Sequence, residues 1–219
     1  MRKIVPLEFD KYYHIYNRGN NREDIFFEEK NYYYFLSLLE KFILPIVEIF
    51  AYCLLKNHFH LLVKIKDEKE VQNLIHTGQI LEEQRIPSLN LTGFKNLSGL
   101  SGFPSQQFSN FFNSYTKSIN KAYHRTGALF QRPFGRIVID TELYFIHLVR
   151  YIHFNPEKHA YIDDFRNYQY SSYKTCISDK PTKIEREKII ERFDDKENFV
   201  HFHSQKPNEE IIKDFIDET

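Results

Sequence analysis

The chain has 219 residues, in which 30 lysine and arginine residues balance 30 aspartate and glutamate residues. With 42% hydrophobic and 27% charged residues, the composition excludes a disordered chain, and the 7 glycines and 8 prolines are too few for a fibrous one. Aromatic residues are abundant, with 21 Phe and 15 Tyr. The length indicates one large domain, or one domain with a tail, that can bury a substantial core.

The predicted location is a reducing cytoplasm. Two cysteines, Cys53 and Cys176, are too few to form a disulfide framework. The first residues lack the apolar run of a signal peptide, and no stretch reaches the roughly 20 apolar residues of a membrane span. We therefore expect a soluble protein with no membrane partner.

The predicted elements follow in the order strand, helix, two strands, two helices, strand and helix. Alternating side chains predict a strand over residues 12–18, a buried strand is predicted over residues 46–55, and further strands are predicted over residues 58–66 and 134–139. Helical spacing predicts helices over residues 31–44, 67–78, 106–123 and 142–154, and Pro156 is expected to end the last of them. This order predicts an α+β fold, with a ferredoxin-like antiparallel sheet and helices packed on it.

Composition divides the chain into a domain and a tail. Residues 1–175 are predicted to form the domain, with residues 81–105, rich in Ser, Gly, Asn and Leu, as a long loop insertion. Residues 176–219 are predicted to form an acidic helical tail. From residue 181 onward the chain contains 7 basic and 11 acidic residues, so the first 180 residues contain 23 basic and 19 acidic ones.

Residues 84–139 contain no Asp or Glu, but cations and aromatic rings alternate along them. Cations bind phosphates and flat rings stack on unpaired bases, so the segment has the composition of a single-stranded nucleic-acid site. A core helix with a solvated basic face explains the same composition equally well. The predicted DNA-binding residues are Lys117, Lys121, Arg125, Arg132, Arg136 and Tyr115, and the segment also contains Arg85 and Lys95.

The tripeptide His58-Phe59-His60 lies on a predicted strand. Residues two apart on a strand share a face, so the two imidazoles project together and can provide two ligands to a metal ion. The more common explanation of such a tripeptide is a pair of polar residues on a solvated face. The second copy, His201-Phe202-His203, lacks strand-like flanks, and we interpret it in that way.

Tyr151 and Asn155 lie four residues apart near the end of the last predicted helix, so they share one helical face. A tyrosine hydroxyl can act as a nucleophile, and an amide oxygen can bind a hard metal ion. His153 points elsewhere on the helix, as a supporting residue or with no role in the site.

Several blocks together resemble single-tyrosine HUH transposases, above all the REP-associated tyrosine transposases and their insertion-sequence relatives. The blocks are AYCLLKNHFHLLV at 51–63, LFQRPF at 129–134, VRYIHFNPEKH at 149–159 and YQYSSY at 168–173. They occur in the order found in that family and span roughly residues 10 to 175.

The resemblance implies a transposase-type enzyme that cleaves and rejoins single-stranded or hairpin DNA without a nucleotide cofactor. It implies that His58 and His60 bind Mg²⁺ or Mn²⁺ and that Asn155 completes the metal site. Tyr151 matches the nucleophile, which forms a 5′-phosphotyrosine intermediate. Exchange of two strands, together with the surplus of aromatic residues, favours a homodimer, whereas some relatives act as monomers.

Three alternatives remain open from the sequence. Tyr115 is a rival nucleophile, although the neighbouring lysines favour a role in stacking or in phosphate positioning. The protein could instead be a catalytically silent, single-stranded nucleic-acid-binding module of the same fold. A zinc hydrolase built on the His58 and His60 pair is the third alternative, and it would require His147 or His153 as a further ligand.

Overall fold

Four antiparallel strands form one sheet in the order β2-β3-β1-β4, in a computed structural model that describes residues 5–80, 100–205, 209–211 and 213. The strands are β1 (Tyr12–Arg18), β2 (Val47–Leu55), β3 (His58–Ile65) and β4 (Gly135–Ile139). This strand order is that of a ferredoxin-like sheet, so the predicted fold class is confirmed. Most of the predicted insertion, with Arg85 and Lys95, lies outside the described residues, and so does the end of the tail.

Seven α-helices accompany the sheet in the part of the chain that is described, together with three short 3₁₀ turns. The helices are α1 (Glu29–Phe42), α2 (Glu68–His76), α3 (Phe103–Ala122), α4 (Glu142–Lys158), α5 (Tyr173–Ile177), α6 (Arg186–Glu191) and α7 (Lys196–Ser204). The 3₁₀ turns are Asn20–Arg22, Phe165–Asn167 and Glu209–Ile211. No helix among the described residues is both long and apolar enough to cross a membrane.

The helix boundaries differ from the prediction by up to four residues, and the two largest differences involve prolines. Helix α3 begins three residues earlier, at Phe103, because Pro104 fits the first turn, where its missing N–H is not needed. The predicted end of α4 was wrong, since the helix continues through Pro156 to Lys158. A proline this close to the C-terminus removes only one helical hydrogen bond, and the next bonds still form, as from His159 N to Asn155 O at 3.0 Å.

Side chains alternate between the two faces of the sheet along β3, and a different set of helices packs on each face. Phe59 packs against Phe35 of α1 and Phe112 of α3. On the other face, Tyr12 of β1 packs against Phe145 of α4, with ring centroids 5.5 Å apart. Helices α1 and α3 therefore cover one face, and α4 covers the face that carries His58 and His60.

The described part of the tail packs on the outer side of α4, and Ile189, Phe193 and Phe199 are buried in the same core as the sheet. A chain of hydrogen bonds joins the two. Nδ1 of His203 lies 2.8 Å from the Phe199 carbonyl, so it donates, and Nε2 of His203 accepts from Nδ1 of His153 at 2.9 Å. Nε2 of His153 lies 2.8 Å from the Ser172 hydroxyl, which in turn accepts from Tyr52 N at 2.9 Å.

His203 was expected to be solvated, and this expectation was wrong, because His203 is buried between the tail and α4. The chain of hydrogen bonds spans 50 residues between His153 and His203, which no local sequence pattern reveals. The division into residues 1–175 and 176–219 stays a prediction.

We predict that His203→Ala lowers the free energy of unfolding by about 2–4 kcal/mol, because it leaves a cavity and a buried, unpaired donor on His153. The matched control is His201→Ala, in the same tripeptide but exposed, which should change stability by less than about 0.5 kcal/mol. Urea unfolding at pH 7 measures both, and equal effects would contradict the buried pair.

The pH dependence gives this comparison a second readout. Burial lowers the pKa of His203 from 6.5 to about 3. Between these values the unfolded chain binds more protons than the folded one, so stability falls as the pH falls through this window. His203→Ala should therefore unfold with a weaker acid dependence between pH 6.5 and pH 4 than wild type does.

Candidate active site

His58 and His60 lie together on the α4 face of β3. Their ring centroids are 5.3 Å apart, and the residues are 6% and 7% exposed. The predicted strand alternation brings them to one face, as expected. Asn57 in the β2–β3 turn holds the first ring, with Oδ1 2.7 Å from Nδ1 of His58. Nε2 is therefore the nitrogen that His58 presents to the site.

Strand β1 adds two aromatic side chains beside His60. Nε2 of His14 lies 2.9 Å from Nδ1 of His60, and the ring of Tyr16 stacks at 6.1 Å from that of His60. Gly135 on β4 makes room for Tyr16, because a Cβ at this position would overlap the tyrosine ring. With Nδ1 of His60 occupied by His14, Nε2 is the nitrogen left for a ligand.

Helix α4 brings Tyr151 and Asn155 onto this pair of histidines. The Tyr151 ring centroid lies 5.5 Å from that of His60 and 6.4 Å from that of His14. Asn155 is fully buried, and its Nδ2 donates to the Tyr151 carbonyl at 3.1 Å, which turns Oδ1 away from the helix backbone. The structure thus brings together all four residues predicted for catalysis and metal binding.

Three basic side chains near this cluster were not among the predicted site residues. Nζ of Lys158 lies 5.3 Å from the centre of the Tyr151 ring, and the ring of His159 lies 5.0 Å from that of His58. The positive charge of Arg18, at the end of β1, contributes to lowering the pKa of both His58 and His60. These residues make the surroundings of Tyr151 electropositive, as an anionic substrate requires.

Burial keeps both strand histidines neutral. Together with smaller effects of His159 and Arg18, it lowers the pKa of His58 to about 3, and the side chain of Asn155 partly opposes this shift. Burial and the neighbouring His14 lower the pKa of His60 well below its ordinary value. Neutral imidazole is the form that binds metal ions, so both rings are ready to act as ligands at neutral pH.

The cluster contains two buried polar atoms that suit a divalent metal ion. Nε2 of His58 and Oδ1 of Asn155 have no hydrogen-bond partner among the described residues. Such atoms are rare in folded proteins because each one costs free energy. Two imidazole nitrogens and an amide oxygen form a neutral donor set that fits a metal ion, provided that substrate or water completes the coordination.

The zinc alternative is disfavoured by the positions of its further ligands. His153 is held by His203 and Ser172 on the tail side of α4, and His147 packs against Phe202 of the tail. Within the described ranges, no group of three or more His, Cys, Asp or Glu side chains is arranged to bind a metal ion. The third donor beside His58 and His60 is therefore an amide, which is an uncommon zinc ligand.

The predicted DNA-binding cations do not surround this cluster. Lys117 and Lys121 are exposed on α3, which covers the opposite face of the sheet, and Arg125 forms an ion pair with Glu23. Arg132 and Arg136 lie on that same opposite face, near α3.

The prediction that Tyr115 contacts DNA was wrong. Its side chain is fully buried, and its hydroxyl donates to the Ile25 carbonyl at 2.7 Å. Phe108 and Phe111 are likewise buried, so this part of α3 belongs to the core and not to a stacking surface.

Neither a protein-family model nor a curated protein matches the chain. A solved structure of a REP-associated tyrosine transposase bound to a REP hairpin is similar, with a TM-score of 0.53 and 13% sequence identity. The similarity covers 84% of this chain and 89% of that one. It establishes a shared fold, with the same kind of antiparallel sheet and packed helices.

We predict that Tyr115→Phe lowers the free energy of unfolding by about 1–2 kcal/mol, because the buried Ile25 carbonyl loses its donor. Affinity for single-stranded DNA should stay unchanged, since the ring does not reach the surface. Urea unfolding and fluorescence anisotropy measure the two quantities. A stable variant with weakened DNA binding would restore the stacking role.

Proposed function

We propose that the protein is a metal-dependent, single-tyrosine DNA strand transferase of transposase type. The observation that carries the proposal is the convergence of Tyr151 and Asn155 from α4 on His58 and His60 from β3. The shared fold with a transposase that was solved with a DNA hairpin supports the choice of DNA as the substrate.

His58, His60 and Asn155 would hold Mg²⁺ or Mn²⁺ through Nε2, Nε2 and Oδ1 respectively. When bound, such an ion withdraws charge from a non-bridging oxygen of the scissile phosphate. The contact of His14 with Nδ1 of His60 holds the orientation of that ring, and Nε2 of His60 can bind the ion when Nδ1 donates to Nε2 of His14.

In the proposed reaction, the hydroxyl oxygen of Tyr151 attacks the scissile phosphorus in line and loses its proton. A bond forms between this oxygen and the 5′-phosphate as the bond to the 3′-oxygen breaks, and the 3′-oxygen leaves as a hydroxyl group after gaining a proton. Lys158, close to the Tyr151 ring, stabilises the negative charge that develops on the phenolic oxygen. The phosphotyrosine keeps the bond energy, so another 3′-hydroxyl can reverse the step and join strands without ATP.

One observation favours the alternative of a silent nucleic-acid-binding module. Tyr151 is only 4% exposed and Asn155 is fully buried, so a phosphate reaches them only if neighbouring side chains move. A protein that binds DNA without cutting it would not need this movement. The presence or absence of a covalent protein–DNA complex therefore distinguishes the two functions.

Tyr151→Phe should abolish covalent attachment to DNA, because it removes the attacking oxygen and keeps the ring. The assay incubates the protein with a pool of single-stranded hairpin oligonucleotides and Mn²⁺, and detects a covalent complex on a denaturing gel. Tyr115→Phe is the control and should still form the complex. An adduct with Tyr151→Phe, or its loss with Tyr115→Phe, would show that Tyr151 is not the nucleophile. If wild type forms no adduct with Mg²⁺ or Mn²⁺, the binding-module function replaces the enzyme.

The metal site predicts a stabilising effect of Mn²⁺ on the isolated protein. A ligand that binds only the folded state at 100 times its Kd adds about 2.7 kcal/mol, so saturating Mn²⁺ should raise the Tm by several degrees. His60→Ala should remove this shift, and His201→Ala, an exposed histidine of the tail, should retain it. A shift that survives His60→Ala would place the ion elsewhere.

A further inference from the structure

A second polar cleft lies on the sheet face opposite the His58 and His60 cluster, between α3 and the segment that leads into β4. Its volume is about 360 Å³, within the usual range for a small ligand. Asn17 of β1 forms one wall, and it pairs across the strands with Phe59, on the α3 side of the sheet. The proposed strand-transfer chemistry does not use this cleft, which we call the α3 cleft.

The floor of the α3 cleft is aromatic. Phe112, Phe130 and Phe134 lie under it, and the ring of Phe112 is 5.2 Å from each of the other two. Each of the three residues is less than a tenth exposed, so the rings form a firm apolar surface and not a set of mobile side chains. A flat, partly apolar group fits such a floor.

The rim carries positive charge that no carboxylate neutralises. The guanidinium carbon of Arg136 lies 3.8 Å from the centre of the Phe134 ring, and Arg132 Nη2 lies 3.4 Å from Asn113 Oδ1. No Asp or Glu lines the cleft, and neither arginine forms an ion pair within the described part of the chain. Arginines placed in this way bind phosphate groups.

Asn17 gives the cleft a directed polar group. It is 95% buried, since only 5% of its surface is exposed, and Oδ1 accepts from Arg18 N at 2.8 Å. Asn17 lines the cleft, and because its Oδ1 is engaged with Arg18 N, Nδ2 is the amide atom left to contact a ligand. An amide donor in the wall of a cleft suits a carbonyl or ring-nitrogen acceptor on the edge of a base.

We infer that the α3 cleft binds one nucleotide of single-stranded DNA, with the base on the aromatic floor and a phosphate at Arg132 and Arg136. This inference rests on the proposed function, because it takes the same strand as the substrate. The cleft and the Tyr151 cluster occupy opposite faces of one end of the sheet, where Tyr16 and Asn17 are neighbours in β1. A strand that passes around this end, beside Arg18, reaches both.

The test is an abasic scan of a fluorescent, single-stranded oligonucleotide that the full-length protein binds, followed by anisotropy at several salt concentrations. For wild type, removal of the base at one position should weaken binding about tenfold, and other positions should matter little. Arg132→Ala should weaken the intact strand at least tenfold and abolish the position dependence. It should also reduce the slope of log K against log salt by about 0.7.

Two further variants separate binding in the cleft from a general effect of positive charge on α3. Asn17→Asp preserves the size and the acceptor of the side chain but places negative charge in the cleft, so it should also weaken binding at least tenfold. Lys117→Ala removes one exposed charge from the same helix outside the cleft, and the position dependence should persist. Equal losses in Arg132→Ala and Lys117→Ala, with a flat abasic scan, would overturn the inference.

The inference and the proposed function fail in different ways. If wild type forms the covalent adduct but the abasic scan is flat, the α3 cleft is not a nucleotide site and the strand transferase stands. If the scan shows the Arg132-dependent position but no adduct forms, the α3 cleft is a nucleotide site and the proposed strand-transferase activity is wrong. If free deoxynucleotide monophosphates bind in an Arg132-dependent manner while the scan stays flat, the cleft is a site for free nucleotides and the inference is wrong.

Discussion

The antiparallel pairing of β1 with β3 is the constraint on which both sites depend. It places Tyr16 opposite His60 on one face and Asn17 opposite Phe59 on the other. Because side chains alternate along a strand, a slip of one residue would exchange the two faces. The histidines would then enter the aromatic core, and Phe59 would face α4. The burial of Phe59 against α1 and α3 therefore fixes the register that assembles the candidate active site.

Helix α4 is held from both sides, which explains how polar groups can be buried along it. Its inner side lies on the sheet and presents Tyr151 and Asn155 to β3. Its outer side is fixed by the tail, where His153 bonds to His203, and Arg150 donates to the Phe202 carbonyl at 3.0 Å. These bonds offset the cost of burying the groups that make them. The unpartnered atoms of His58 and Asn155 are among the exceptions in the described part of the chain, and such exceptions concentrate at functional sites.

Local signals predict the strands and each of the two pairs of site residues, whereas only the resemblance of the sequence blocks to single-tyrosine transposases predicts that the two pairs meet. Alternation reveals the face shared by His58 and His60, and helical spacing reveals that of Tyr151 and Asn155. The burial of Tyr115 could also have been predicted from the sequence, because Phe108, Phe112, Tyr115 and Ile119 follow helical spacing and form one apolar stripe. The contacts of His14 with His60, and of His203 with His153, could not be predicted, because they join elements 46 and 50 residues apart.

The separation of the two sites suits a reaction that breaks a strand and later rejoins it. In the proposed intermediate, Tyr151 holds only the 5′-phosphate side of the break, and the freed 3′-hydroxyl end would diffuse away unless other contacts held it. A nucleotide bound in the α3 cleft keeps its strand near the site at a high effective concentration, as a tether does. Contacts far from the reacting phosphate serve this purpose best, because they persist while the bonds at Tyr151 are exchanged. Because the α3 cleft lies on the opposite face of the same end of the sheet, a rigid scaffold holds the bound strand near Tyr151 without involving the reacting phosphate.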